Sequence, residues 1–102
     1  MEDTAIKDLF RIRDRAVKNK DERLFLSTQI REIPGSGSAG YLSTDALKTT
    51  ILNISSEDAF KLTKTVAVKE TYFVKGKKSH EGILIYHLVN TIQGWKIYNI
   101  VY

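Results

Sequence analysis

The chain has no cysteine, and only one proline, one tryptophan and one methionine in 102 residues. Without cysteine there is no disulfide, no thiolate metal site and no thiol nucleophile. The compartment stays open on that count, because many exported proteins also lack cysteine. No run approaches the roughly 18 apolar residues that a membrane span needs. Met1-Glu2-Asp3-Thr4 has neither a basic n-region nor an apolar h-region. The residues as they stand predict a soluble, cytoplasmic chain, and a soluble piece of an exported or anchored protein fits them too. Gly35-Ser36-Gly37-Ser38 lacks the Gly-Lys-Ser/Thr ending and the following helix of a phosphate loop, so it reads as a linker. No serine sits in a nucleophile elbow. His80 and His87 lie on either side of a stretch without a carboxylate run, which is not metal-ligand spacing. No metal and no cofactor are expected, and there is no internal repeat.

Hydrophobic residues make up 42% of the chain and charged residues 27%, which is ordinary globular usage and far from disorder. A chain of this length supports one domain, residues 1–102. The net charge of +4 invites a nucleic-acid reading. Its distribution argues against one, because the basic residues between Arg11 and Arg23 are interleaved with Asp8, Asp14, Asp21 and Glu22. The unmixed cluster Lys75-Gly76-Lys77-Lys78 suits a solvated turn. An RNA-binding sheet would need exposed aromatics beside the charge, and Phe73 is the nearest one.

Helical period comes first. Ile6, Leu9, Phe10, Ala16 and Val17 form one stripe of a helix over residues 5–20, with Thr4 as its expected N-cap and Arg13 inside the stripe. Asp21 caps a short second helix through Leu24, Phe25 and Leu26. A Gly- and Ser-rich loop around Pro34 follows, with a brief strand expected over residues 29–33. Thr49, Thr50, Ile51 and Ile54 are β-branched and predict a strand over residues 47–54 rather than a third helix. Residues 60–74 alternate, placing Phe60, Leu62, Lys64, Val66, Val68, Glu70, Tyr72 and Val74 toward a core. So long a strand must twist or bulge. Residues 82–91 are apolar on both faces and predict a central strand covered twice. Gln93-Gly94 turns the chain into a last strand over residues 95–102.

The charged corner at Asn19-Lys20-Asp21 before Leu24-Phe25-Leu26 resembles the opening of the NTF2-like superfamily (SnoaL-like, cystatin-type α+β). Ile85-Tyr86-His87-Leu88-Val89-Asn90-Thr91 and Gly94-Trp95-Lys96-Ile97 resemble its last two strands. The resemblance implies an α+β cone, with N-terminal helices packed on the concave face of a strongly curved antiparallel sheet of about four strands. It also implies a cavity at the open end and a convex face that often dimerises. The region around Pro34 and Gly40 departs from the pattern, where a third helix would normally sit. One cone hosts isomerases, dehydratases, transport factors and many non-catalytic domains, so the fold does not name the function.

Two charges occupy positions where the pattern wants apolar groups, Arg13 on the helix and Glu70 on the inward strand register. Either they meet inside the cone as a pair, or Arg13 snorkels over the rim while Glu70 reaches water beyond a bulge. If they meet, Arg13 would hold an anion and Glu70 would act as a base. His87 is the second candidate base, beside Glu70 or Tyr72, or else a hydrogen-bonded core or interface residue. The resemblance implies enzymes with an inward aspartate or a His/Asp pair and a tyrosine donor; Tyr72, Tyr86 or Tyr98 would be the donor and Glu70 would replace the aspartate. Tyr98, Ile100 and Tyr102, with Leu84 or Leu88, are expected to form an apolar patch on the face opposite Trp95 and Ile97, through which the domain dimerises. The first reading is thus a non-catalytic domain that self-associates and binds a small ligand or protein partner. The second is an isomerase or dehydratase using Glu70 or His87, and the third, a nucleic-acid module, is the least favoured.

Overall fold

A computed structural model describes residues 2–30, 43–56 and 62–101, with side chains from Thr4 onward. The order is α1 (Glu2–Asn19), α2 (Glu22–Leu26), β1 (Ala46–Ser56), β2 (Thr63–Val74), β3 (Lys77–Thr91) and β4 (Gly94–Val101). The strands form one antiparallel sheet in the order β1-β2-β3-β4, a plain meander.

Helix α1 begins at Glu2, so Thr4 lies inside it and is not its cap. Water can satisfy the first N–H groups of an exposed helix end, so no capping side chain is required there. Its other end closes in a Schellman arrangement, with Asp21 N–H donating to the Ala16 carbonyl at 2.9 Å and Lys20 N–H to that of Val17 at 3.2 Å. Lys20 holds the left-handed conformation (φ 58°) that this motif needs, and its ammonium donates to the Thr44 carbonyl at the approach to β1. Asp21 then caps α2 as expected, accepting from Leu24 N–H at 3.0 Å. Beyond it, residues 28–30 run parallel to β4: Ile97 N–H donates to the Thr28 carbonyl at 2.8 Å, and Ile30 N–H to that of Ile97 at 3.0 Å. The rest of the brief strand expected there lies outside the described residues.

The helix comes closest to the two outer strands, β1 and β4, so the sheet curls around it. The space between helix and central strands is filled by Phe10, Val66, Val68, Leu84, Tyr86 and Leu88, all buried. Phe10 meets Tyr86 edge to face at 5.0 Å, a contact worth about 1 kcal/mol beyond area burial. A second cluster of Ala16, Val17, Phe25 and Leu47 closes the corner between the helices and β1.

The inward register of β2 holds from Lys64 to Glu70, with Tyr72 half-buried. Leu62 and Val74, at its ends, are exposed because they run past the helix, and Phe60 lies outside the described residues. Bulges bend the described strands and sharpen their twist at Leu52 in β1, at Ser79 in β3 and at Tyr98 in β4. The β2–β3 turn needs only Lys75 and Gly76, both with positive φ, as a two-residue hairpin turn requires. Ile92 and Gln93, rather than Gln93 and Gly94, make the β3–β4 turn.

Two expectations about the sheet faces are overturned. β3 is central, yet the described helices cover it on one face only: Leu84 and Leu88 point into the core while Ile83 is 64% exposed. Ile100 does not share the outer face with Tyr98. The bulge at Tyr98 adds one residue to β4, so the alternation slips and Ile100 joins Trp95 and Ile97 in the core.

Candidate functional site

Arg13 and Glu70 are both 0% exposed, which excludes the reading in which each reaches water. Glu70 accepts hydrogen bonds from two phenols, Tyr72 Oη on one carboxylate oxygen and Tyr86 Oη on the other. Arg13 Nη1 donates to Thr28 Oγ1 at 2.8 Å and to Gln29 Oε1 at 3.0 Å. Its guanidinium lies 4.3 Å from the Phe25 ring centroid and 5.5 Å from that of Tyr86. Tyr86 therefore touches both charges, the cation across its ring and the carboxylate through its hydroxyl. Both oxygens of Glu70 and the Nη1 of Arg13 are satisfied in this way, and removing one partner of a buried charge is costly.

The network extends outward through Tyr72, whose ring stacks on His80 at 4.3 Å with 14° between the planes. His80 is exposed, as expected, but it is not idle surface, because it covers the outer edge of Tyr72. Of the candidate residues, Arg13, Glu70 and Tyr72 thus share one neighbourhood. His87 does not. It pairs with Thr65 and Asn99, alternates with the buried Tyr86 and Leu88, and so lies on the outer face of the sheet, 5.9 Å from Tyr98. A base at Glu70 and a base at His87 are on opposite sides of the same sheet, and the expectation of His87 inside the cone is withdrawn on that geometry.

Two residues of consequence carry no local signal. Asp14 accepts from Thr49 N–H at 3.0 Å and from Thr49 Oγ1 at 2.7 Å, clamping α1 to the edge strand β1. Burial pushes its carboxyl above the ordinary aspartate range; the two bonds from Thr49 oppose this, Glu70 nearby adds to it and Arg13 opposes it. Gln29 is the other, a buried amide that links Arg13 to the stretch beside β4. Both depend on partners far along the chain, which no spacing rule reveals.

A shallow cleft of about 830 Å³ lies beyond Gln29, between the end of α2 and the β3–β4 turn, lined by Ser27, Ile30, Asn90, Gln93 and Lys96 among others. Lys96 Nζ donates to the Ser27 carbonyl at 2.6 Å and closes its floor. Among the described residues no group of histidines, aspartates and glutamates is placed to hold a metal. No described helix is long and apolar enough to cross a membrane.

Solved structures share this architecture over nearly the whole chain. An NTF2-like protein of unknown function from Shewanella oneidensis matches with a TM-score of 0.76 at 14% identity, over 98% of this chain and 97% of that one. A domain of unknown function with a cystatin-like fold from Nostoc punctiforme matches with a TM-score of 0.76 at 14% identity, over 97% of this chain and 74% of that one. The chain has the NTF2-like fold. A hexachlorocyclohexane dehydrochlorinase from Novosphingobium barchaimii has it too, with a TM-score of 0.60 at 13% identity over 95% of this chain and 82% of that one. At these identities the likeness shows the fold alone. No protein-family model matches the sequence, and no curated protein matches it. Within an NTF2-like cone, the Arg13–Tyr86–Glu70–Tyr72 network occupies the interior, and no described helix lies on the outer face of the sheet.

Proposed function

We propose that this NTF2-like domain acts by association, pairing with a second copy through the outer face of its sheet, and not by catalysis. The observation that carries this reading is the state of Glu70. It has no exposed surface, and each of its carboxylate oxygens already accepts a phenol. A general base must reach the proton that it removes, within about 3 Å or through one water. The other base considered, His87, is across the sheet from it.

The outer face supports the associative half of the proposal. Ile83 is 64% and Val101 46% exposed, and Ile85, Val89 and Tyr98 beside them are half-buried. The patch differs from the expected one: Tyr98 remains, Ile100, Leu84 and Leu88 turn inward, and Tyr102 lies outside the described residues. An apolar surface of this kind on a charged domain is a usual mark of association, and a two-fold axis would bring the same patch onto itself. A protein partner suits it better than a small ligand does.

Light scattering at micromolar concentration is expected to give the mass of a dimer, with Ile83→Lys and Tyr98→Lys returning the monomer. A wild-type chain that stays monomeric across that range removes the proposal.

A further inference from the structure

The outer sheet face changes character along its length, and toward the β2–β3 turn it becomes basic. Lys69, Thr71 and Phe73 lie along the outer side of β2. Lys48 of β1 pairs with Thr71, and Lys78 of β3 pairs with Phe73. Three lysines from three adjacent strands therefore share one side of the sheet, on a diagonal and not as direct cross-strand partners. Nothing in their sequence positions announces this, because the pairing register assembles them. Lys75 and Lys77 continue the charge at the turn.

The acids nearby are already engaged. Glu81 accepts from Thr71 Oγ1 at 3.2 Å and lies 3.6 Å from Lys78 Nζ. Asp45 accepts from the backbone N–H of Lys75. Lys48 and Lys69 have no acidic partner among the described residues. Lys48 is exposed and Lys69 half-buried, and like charges gathered on one side of a sheet raise a positive potential that attracts a partner of opposite sign.

We infer that this basic half of the outer face docks an acidic segment of another protein, with Lys48 and Lys69 as its two principal contacts. A second copy of this chain does not fit here, since it would bring the same lysines. The surface therefore lies beyond the self-association reading and does not depend on it. Nucleic acid fits less well, because strands of bases need exposed aromatic faces to stack on. Phe73 is half-buried, and Tyr72 and His80 stack on each other on the opposite side of the sheet.

The test uses the whole chain and a fluorescent glutamate-rich peptide, followed by anisotropy, with a lysine-rich peptide and a DNA duplex as comparisons. The glutamate-rich peptide is expected to bind at low salt, to weaken as screening shortens the reach of the charges, and to lose about tenfold in affinity in Lys48→Glu/Lys69→Glu. Lys48→Gln/Lys69→Gln, which adds no repulsion, should show a smaller loss in the same direction. Equal affinity in wild type and both variants, with circular dichroism unchanged, overturns the inference, and so does tighter binding of the duplex than of the peptide. Lys69 is the cross-strand neighbour of Ile83. The self-association proposal is therefore separated with Lys48→Glu alone, since the strand partner of Lys48, Thr71, lies outside the apolar patch. Weaker peptide binding at an unchanged dimer mass supports the inference, and unchanged peptide binding overturns it.

Discussion

The two faces of the sheet use side chains in the opposite way from simple expectation. The inner face holds Glu70 and Lys64 and receives Arg13 from the helix, yet it is the buried one. The outer face carries Ile83, Ile85, Val89 and Tyr98, yet it is open or half-open. What separates them is coverage. One helix lies across the inner face, so every polar group there must find a partner inside, and the Tyr86 hydroxyl and ring serve two charges at once. Outside, no such demand exists, and apolar residues remain available to another molecule. Polarity alone therefore does not say which face of a strand is the core.

The largest effect expected from breaking this contrast is at the interior charges. Arg13→Met should destabilise the fold by about 4 kcal/mol, because it leaves Gln29, Thr28 and the Glu70 region without their cation. Combined with Glu70→Gln, the two losses should be non-additive by at least about 1 kcal/mol in urea unfolding, since both act through Tyr86. Strict additivity would show that the two charges do not share an environment.

A smaller difference is expected along β4, between two residues with one position between them. Ile100→Ala should cost about 3 kcal/mol, as for a buried aliphatic side chain. Tyr98→Ala should cost less than about 1 kcal/mol in the monomer. Similar losses at both sites would mean that the bulge does not shift the alternation where it is placed here.

The smallest effect concerns the Asp14 clamp at the sheet edge. A carboxyl whose folded pKa is raised holds its proton more tightly in the folded state. The ionised form thus carries a penalty at neutral pH, and that penalty disappears as pH falls through the raised value toward the unfolded one near about 3.9. Relative to Asp14→Asn, the wild type should gain stability over that descent, read as a rising difference in urea midpoint. A difference that stays flat from neutrality to about pH 4 would contradict the raised value.

Much of the fold was legible in the residues. The helical stripe of Ile6, Leu9, Phe10, Ala16 and Val17, the Asp21 cap and the alternation from Lys64 to Glu70 each rest on interactions a few positions apart, and each appears in the structure. The inward position of Glu70 was legible for the same reason. The site was less so. His87 reads equally well on either side of β3, since that strand is apolar on both, and only its pairing with Thr65 and Asn99 decides the matter. Asp14, Thr28 and Gln29 gain their roles from partners across the fold.

Period and capping were enough to set two helices before a meander of strands, because helix and strand periodicities are local properties of the chain. Register, bulges and coverage by α1 were decided by the tertiary structure alone. One extra residue at Tyr98 moved Ile100 from surface to core, and pairing across three strands gathered Lys48, Lys69 and Lys78. These depend on which backbone groups meet across the sheet, and a hydrogen bond between distant residues leaves no trace in the spacing of either one.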